Sequence, residues 1–475
     1  MQVKKALSWS TMAILTATAV ASVRGLPAMA VYGWASIFLY ALPAVVFMVP
    51  IALVAAELAS GWQGGVFVWV KEAYGDRIGF SAIWQQWIQN VVWYPAQLAF
   101  FASALAYVFN PALANNGVFT GAVILIVYWL STMIALRGVS AFANVGSKGF
   151  IIGTIIPAAG LVVFALIYLF SGGQSQIPPV SQATFLPAWT GIASIVLIVS
   201  NFLSYAGMEM NAVHVNEMDN PAKNFPRAIG LATIIILLVF IFPTLAISVG
   251  VPSGSVNLTQ GVLQAFDVFF AQLGMPWGTT VMALLIVVGI LASVVTWIPG
   301  PSKGLLMVGR EGYLPKWLQK TNDQDMQVNI MIVQGVIVTV LALFFALSPS
   351  VQSVFWIFSA MAVQLYLIMY MFMFLAAMRL RKTKPDVKRG FRTPYMGFFG
   401  WLGFLASLLA FLIGFVEPTG TAANQVTYTL VLIIGIIVLG VGPFILYALR
   451  KPDWKTVDDK AQSAEISPDA GPAAE

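Results

Sequence analysis

The stretch AVASVRGLPAMAVYGWA, from Ala19 to Ala35, decides how this 475-residue chain is organised. It lies within the first long apolar run, residues 6–34. Pro27 lacks a backbone N–H and breaks or kinks a helix, and Gly25 leaves helical geometry at little cost. An arginine at the centre of a membrane helix costs about 2.5–3.5 kcal/mol on insertion scales. Arg24 therefore does nothing to help this segment span a bilayer.

The pattern around Arg24 favours a discontinuous helix with free backbone groups near the middle of the membrane. Irregular backbone at that depth is tolerated only against protein or water, so we expect it to line a cavity. The alternative is a proline-kinked packing helix whose arginine extends toward the membrane surface. Charges inside a membrane are functional by default, and this favours the cavity.

Composition places the chain among polytopic membrane proteins. Hydrophobic residues make up 59% of it and charged residues only 9%, which excludes a soluble enzyme. Cysteine is absent and His214 is the single histidine, so we expect no disulfide, metal site, cofactor or catalytic residue. No phosphate-binding loop of the GxxxxGK type is present, which argues against ATP-driven pumping.

The apolar runs predict an all-α protein with twelve transmembrane helices and one shorter amphipathic segment near 258–273 on the outer surface. The twelve lie near 6–34, 36–58, 79–109, 118–136, 149–170, 190–214, 225–250, 277–301, 329–347, 351–378, 397–416 and 426–449. Residues 1–450 then form one transporter domain, and residues 451–475 form a polar, disordered cytoplasmic tail.

The basic residues support an even number of spans with both termini in the cytoplasm. Under that topology every one of the 24 lysines and arginines except Arg24 falls in an inward segment. The outward loops carry only Asp267 and Glu417 as charged residues. An excess of lysine and arginine in cytoplasmic loops is the usual orientation signal of membrane proteins. The net charge of +6 is therefore a topology signal and does not indicate nucleic-acid binding.

Helix six repeats the features of helix one. Its sequence Ser204-Tyr205-Ala206-Gly207-Met208-Glu209 combines a glycine-containing break with one charge. Interrupted segments at matching places in two halves indicate an inverted-repeat transporter. The repeats would cover 6–170 and 190–378, followed by two further helices at 397–449. In the alternative, helix six ends early and Glu209 faces the cytoplasmic loop with Glu217 and Asp219.

Three other features carry weaker signals. The run from Trp297 to Gly304 ends helix eight and can be explained as a helix terminator. Tyr366 and Tyr370 share one face of helix ten, and aromatic pairs at this spacing more often pack than gate a pathway. The tail contains no histidine, so we expect it to be dispensable for any pH response.

Four stretches together resemble the amino acid–polyamine–organocation superfamily, and most closely its bacterial glutamate/γ-aminobutyrate antiporters. The most specific is HVNEMDNP at 214–221, which continues to FPRA at 225–228. The others are GGVFVWV at 64–70, WIPGPSKG at 297–304 and PDVKR at 385–389. The similarity runs from about Met12 to Arg450.

The resemblance implies a five-plus-five inverted repeat with discontinuous helices one and six, and alternating access to a site between helices one, three, six, eight and ten. It implies that unwound backbone at Ser22 and Val23 holds the substrate carboxylate. The carbonyl groups of Leu203 and Ala206 would accept hydrogen bonds from the substrate's α-amino group.

The resemblance also assigns side chains to the site. Glu209 matches the family's buried glutamate after the break in helix six. Trp297, Tyr366 and Tyr370 match aromatic positions near the site and its gates.

Two positions depart from the antiporter pattern and put the identity of the substrate in doubt. Arg24 stands where those antiporters carry an aromatic residue. Ser293, one turn before Trp297, stands where an acid is expected. Arg24 could pair with Glu209 or with a second carboxylate on the substrate, and the sequence leaves both partners open.

The sequence therefore predicts a multi-pass transporter of amino acids in the cytoplasmic membrane, acting as an exchanger and present as a monomer or homodimer. One alternative is a proton-coupled symporter with Glu209 as the proton carrier. A membrane-embedded enzyme would need clustered catalytic groups, and the candidate groups are isolated. A channel would need a continuous polar pore lining, for which polar residues are too few.

Overall fold

The computed structural model describes residues 8–138, 148–212, 218–418 and 424–456. His214, Glu217 and the chain beyond residue 456 lie outside this part. The helices, numbered in chain order, are α1 (Trp9–Val20), α2 (Leu26–Ala30), α3 (Ala35–Gly61), α4 (Gly65–Tyr74), α5 (Asp76–Phe109), α6 (Gly117–Ala135), α7 (Lys148–Phe170), α8 (Gln182–Phe185), α9 (Val199–Tyr205), α10 (Met208–Ala212), α11 (Pro221–Gly250), α12 (Gly261–Gln272), α13 (Trp277–Trp297), α14 (Pro299–Val308), α15 (Val328–Leu347), α16 (Val351–Thr383), α17 (Met396–Ile413) and α18 (Gln425–Ala448).

The all-α polytopic fold is confirmed by the lengths and composition of these helices. In the described part of the chain, ten helices are long and apolar enough to cross a membrane. If the bent pair Trp9–Thr18 and Val23–Ala30 forms one span, the number of candidate spans rises to eleven. A shorter apolar helix covers Val196–Met210. The total of twelve spans and the inverted repeat stay predictions.

Helices α5 and α16 lie at the centre of the molecule. Most of each helix is buried on all sides, whereas α7, α17 and α18 keep broad exposed faces. Those faces are apolar, as Phe398, Leu405 and Val438 show. In a membrane-spanning helix such a face contacts lipid tails, so the two central helices are the ones placed to line an internal site.

Helix α12 coincides with the predicted amphipathic segment at 258–273. It packs against α2, because a Cβ added at Gly261 would stand 2.8 Å from the Cβ of Pro27. Its apolar side includes Phe270, whose ring centre lies 4.5 Å from that of Phe164 on α7. The helix thus covers one end of the broken first helix, and its location on the outer surface stays a prediction.

A buried ion cluster joins the end of α3 to the loop between α16 and α17. Glu57 is 2% exposed. Its Oε1 lies 2.6 Å from Nη1 of Arg381 and 3.4 Å from Nε of Arg389, and its Oε2 accepts the N–H of Thr393 at 2.8 Å. Burial lowers the pKa of the Arg389 guanidinium, and the negative charge of Glu57 opposes that shift. Two stretches that are distant in sequence are thereby held together through opposite charges.

The first residues of the tail are packed against the protein. Pro452–Trp454 form a single helical turn, and Thr456 donates its backbone N–H to the carbonyl of Arg310 at 2.9 Å. This part of the segment predicted to be disordered is therefore ordered up to Thr456.

Candidate functional site

The first helix is broken where the sequence predicts it. Ser22 is extended, with φ −152° and ψ 140°, and its Oγ accepts the N–H of Arg24 at 3.3 Å. One tight helical turn, Val23–Gly25, then leads into α2, which has Pro27 at its start. The chain on either side bends by 49°. The break leaves backbone groups of this segment outside regular helical pairing, as a binding site of this kind requires.

The helix predicted at 190–214, called helix six in the sequence analysis, is also broken. The break separates α9 from α10. Ala206 is extended, and Gly207 has φ 103°, a conformation that side-chain-bearing residues rarely adopt. The N–H of Gly207 turns away from the helix axis and donates to the hydroxyl of Tyr370 at 2.8 Å and to Oε2 of Glu209 at 3.2 Å. The break inferred from glycine and polar residues is therefore present.

The two breaks face each other across a small cavity. A Cβ added at Gly25 would stand 2.9 Å from Oγ of Ser204, so a larger residue at this position would require the Ser204 side chain to move. Arg24, Leu203, Phe355 and Ser359 are among the residues that line the cavity. Its free volume is about 20 Å³, room for about one water molecule. An amino acid can enter only after these side chains move.

Arg24 is buried in this cavity, 8% exposed. Its Nη1 donates to Oγ of Ser359 at 3.1 Å, and its guanidinium carbon lies 5.5 Å from the centre of the Phe355 ring. Within the described ranges, no carboxylate comes within 4.0 Å of Arg24 to form an ion pair. A guanidinium has five donors, and a single hydroxyl and an aromatic face satisfy few of them.

Glu209 is the centre of a second cluster, at the start of α10. The hydroxyls of Tyr366 and Tyr370 donate to its two carboxylate oxygens at 2.6 Å and 2.5 Å. Nε2 of Gln86 on α5 adds a third donor at 3.1 Å. Glu209 is 2% exposed. The alternative in which it faces a cytoplasmic loop is wrong, because three side chains from two other helices enclose it.

The tyrosine pair on α16 is more than packing. The rings of Tyr366 and Tyr370 stack with centroids 4.8 Å apart, and both hydroxyls point to the same carboxylate. The Tyr370 ring also meets Phe47 of α3 edge-on at 5.3 Å. The stacked pair thus connects α3 and α16 to the break in helix six.

Arg24 and Glu209 do not meet in this conformation. Their partners on α16 are Ser359 and Tyr366, which are seven positions apart. At a rise of about 1.5 Å per residue, this separates the two levels by about 10 Å along the helix. Of the two partners that the sequence left open for Arg24, Glu209 is therefore not engaged here.

The remaining predicted residues lie around the two breaks. The indole of Trp297, at the end of α13, comes within 3.5 Å of the place where a Cβ would stand at Gly207. It also lies 6.2 Å from the ring of Trp93 on α5. The carbonyl of Leu203 already accepts the N–H of Ala206 at 3.2 Å. The binding roles assigned to Ser22, Val23, Leu203 and Ala206 stay predictions.

Three residues of the two clusters were not singled out from the sequence. Gln86 lies in a run of amide side chains, with Gln85, Gln89 and Asn90, that is unusual in an apolar helix. Phe355 and Ser359 share the face of Tyr366 and Tyr370, because spacings of four and seven return to one side of a helix. The polar residues on that face of α16 were the sequence signal from which Ser359 could have been identified. In the described part of the chain, no group of acidic or histidine side chains could hold a metal ion.

Two helices broken at mid-length and facing each other across a buried cavity are typical of secondary transporters. The comparisons with known proteins agree with that class. A sequence model of the amino acid permease family matches residues 7–439. The chain belongs to this family, within the amino acid–polyamine–organocation superfamily, and it is a multi-pass membrane protein that transports amino acids.

Individual relatives extend over nearly the whole chain. An uncharacterized transporter from Legionella pneumophila is 37% identical over 88% of this chain and 90% of its own length. A glutamate/γ-aminobutyrate antiporter from Lactococcus lactis is 32% identical over 97% of this chain and 94% of its own. A probable agmatine/putrescine antiporter from the same species is 26% identical over 73% of this chain. The predicted resemblance to the glutamate/γ-aminobutyrate antiporters is confirmed.

Proposed function

We propose that this protein is an amino-acid exchanger of the cytoplasmic membrane that carries a dicarboxylic amino acid as one of its substrates. The observation that carries the proposal is Arg24. It lies buried between two helix breaks, and its guanidinium faces a cavity with no acidic partner among the described residues. A buried cation without a counter-ion is costly, and a substrate carboxylate would remove that cost.

The shape of the guanidinium suits this role. Its planar fork donates two parallel hydrogen bonds to one carboxylate. The unwound backbone at Ser22 and Val23 would hold the α-carboxylate, which leaves Arg24 for the side-chain carboxylate of glutamate or aspartate. By their names, the glutamate/γ-aminobutyrate antiporters among the relatives exchange one acidic molecule for one neutral molecule. This agrees with an acidic amino acid as one of the two substrates.

Alternating access gives the exchange its mechanism. The cavity is nearly closed in this conformation, so loading and release require it to open to one side and then to the other. Glu209 holds α5, α10 and α16 together through neutral donors on the inner side of Arg24. We place both termini in the cytoplasm, because the basic residues of the loops follow the positive-inside pattern.

Proton symport with Glu209 as carrier is the competing mechanism. The three side-chain donors around Glu209 suit an ionised carboxylate that only accepts hydrogen bonds. The backbone N–H of Gly207 is a fourth donor, and four donors fill the roughly four lone-pair sites of a carboxylate. Protonation would therefore force at least one of these donors to turn away. Exchange needs no such step within this cluster, and for this reason we favour it.

Counterflow into proteoliposomes tests the proposal. Vesicles preloaded with unlabelled glutamate or γ-aminobutyrate should take up labelled glutamate, whereas empty vesicles should not. An inward proton gradient should not replace the internal substrate. Uptake into empty vesicles that depends on that gradient would contradict exchange and support the symporter.

A further inference from the structure

A basic pocket lies on the surface away from the substrate cavity. Its walls are the turns Gly309–Tyr313 and Lys316–Gln319 together with the chain at 455–456, and its volume is about 650 Å³. Gln319 holds the walls together. Its Nε2 donates to the carbonyls of Leu314 at 2.6 Å and Trp454 at 2.8 Å, and its Oε1 accepts the hydroxyl of Thr456 at 2.7 Å. The pocket is therefore a built feature and not a gap between loose loops.

The lining of this pocket is strongly positive. Arg310, Lys316, Lys320 and Lys455 line it, and the described lining residues include no acid. The nearby carboxylate of Glu311 is engaged elsewhere, 2.8 Å from Nζ of Lys71. Three of these cations are lysines from two chain segments, and lysine ammonium groups attract anions and bind phosphate as point charges.

The pocket lies beside the first turn of α15, a helix with an exposed apolar face. Trp317, which also lines it, is 58% exposed. The carbonyl of Trp317 accepts a hydrogen bond at 2.5 Å from Nδ2 of Asn329, in the first turn of α15. The exposed apolar face of α15 begins at Ile332 and continues through Val336. An exposed tryptophan beside the end of a lipid-facing helix is typical of the headgroup level.

We propose that this pocket binds the phosphate of an anionic phospholipid from the inner leaflet. Lys316, Lys320 and Lys455 would hold the headgroup phosphate. Trp317 would lie against the glycerol and upper acyl region, with the chains continuing along the exposed face of α15. Basic pockets at the cytoplasmic ends of transmembrane helices bind anionic headgroups in this way. The acyl chains are the reason to favour a lipid over a soluble phosphate, because the pocket opens beside an apolar face.

Native mass spectrometry of the full-length protein in detergent tests the lipid site. The probe is phosphatidylglycerol, compared with zwitterionic phosphatidylcholine. The variant Lys316→Ala/Lys320→Ala/Lys455→Ala should weaken phosphatidylglycerol binding about a hundredfold, given the contribution of each lysine near an anionic surface, and leave phosphatidylcholine unchanged. All three lysines are exposed, so the variant should keep the thermal midpoint of the wild type.

The matched control removes three exposed lysines that do not line the pocket, as Lys223→Ala/Lys382→Ala/Lys388→Ala. It should bind phosphatidylglycerol as the wild type does. Equal losses in both triple variants would overturn the site, because they would show a general attraction to charge. Displacement of the lipid by millimolar inorganic phosphate would show a soluble anion as the ligand and would overturn the lipid assignment.

Removal of the chain after Thr456 provides a further test of the lipid site. The removed segment carries Asp458 and Asp459, which could compete for the pocket. Similar phosphatidylglycerol binding with and without this segment would support a lipid site. Binding only by the truncated protein would overturn the proposal for the full chain.

Discussion

Two buried guanidinium groups in this protein differ in their partners: one has an acidic partner and the other does not. Arg389, together with Arg381, faces the carboxylate of Glu57, which also accepts the backbone N–H of Thr393. Arg24 faces one hydroxyl and the ring of Phe355, and no acid in the described ranges pairs with it. A cation buried for structural reasons is neutralised where it lies. One left unpaired in a cavity between two helix breaks is available to a partner from outside.

Glu209 gives the intermediate case. It is as buried as Glu57, but its side-chain partners are two tyrosine hydroxyls and the amide of Gln86, all neutral. Neutral donors satisfy a carboxylate without fixing it as tightly as a cation does. The cluster can therefore hold α10 against α5 and α16 and still be released when the helices move.

The largest effect on stability should come from Glu57→Ala. This change leaves two arginines at a buried position without their counter-ion, and removal of one partner of a buried pair costs about 3–5 kcal/mol. The thermal midpoint of the detergent-solubilised protein should fall strongly.

Glu311→Ala is the matched control for this prediction. It breaks the pair between Lys71 and Glu311, and the Glu311 side chain is 46% exposed. Exposed pairs contribute about 0–1 kcal/mol, so the midpoint should hardly move. Equal, small shifts in both variants would show that the Glu57 cluster is not a structural tie.

The next effect should be on the rate of transport, in Glu209→Gln. A glutamine side chain has one acceptor oxygen, so it cannot accept from Tyr366 and Tyr370 on two separate oxygens. Substrate should still bind, but transport should slow by about tenfold to hundredfold, the range of a charge-assisted hydrogen bond.

Binding and initial uptake rates check the Glu209→Gln prediction. Tyr366→Phe, which removes one donor and keeps the acid, should slow transport less. Wild-type rates in Glu209→Gln would show that the carboxylate only packs.

A smaller effect is expected for Ser359→Ala. The change removes the one hydroxyl bonded to Arg24, and neutral hydrogen bonds contribute about 0.5–1.5 kcal/mol. The apparent affinity for glutamate should weaken less than about tenfold, while that for a neutral amino acid stays unchanged. Ser103→Ala is the control, since the buried Oγ of Ser103 has no partner in the described part of the chain. Equal loss for acidic and neutral substrates in Ser359→Ala would show that Ser359 does not act through Arg24.

The smallest effect is expected from truncation after Thr456. Thr456 itself binds Arg310 and Gln319, so it should be kept. The removed segment has no histidine, and transport and its pH profile should stay close to those of the full chain. A large gain of activity at neutral pH, seen in uptake assays from about pH 4 to pH 8, would show that the tail gates the protein.

The sequence was sufficient to locate the two breaks, whereas the binding roles of the residues around them stay predictions. Gly25 with Pro27, and Gly207, disrupt helices through their own backbone properties, so their effect is local and can be read from the chain. The spacing of Tyr366 and Tyr370 correctly placed both on one face of a helix.

The partners of the buried charges were not predictable in the same way. Gln86 faces Glu209 because of the rotation of α5 about its own axis. A helix that is buried on all sides is apolar all round, so its sequence does not indicate that rotation. The pairing of Glu57 with Arg389 joins residues far apart in sequence, and its partners follow only from the packed fold.

The most direct test of the role of Arg24 is the substrate selectivity of Arg24→Ala in preloaded proteoliposomes. The measurement is the apparent affinity for glutamate and for leucine, in wild type and variant, with Arg24→Lys to keep the charge without the fork. We expect Arg24→Ala to lose glutamate affinity by about tenfold to hundredfold and to keep that for leucine, with Arg24→Lys in between. Equal loss of both substrates would assign Arg24 a structural role, and loss of neither would place it outside the binding site.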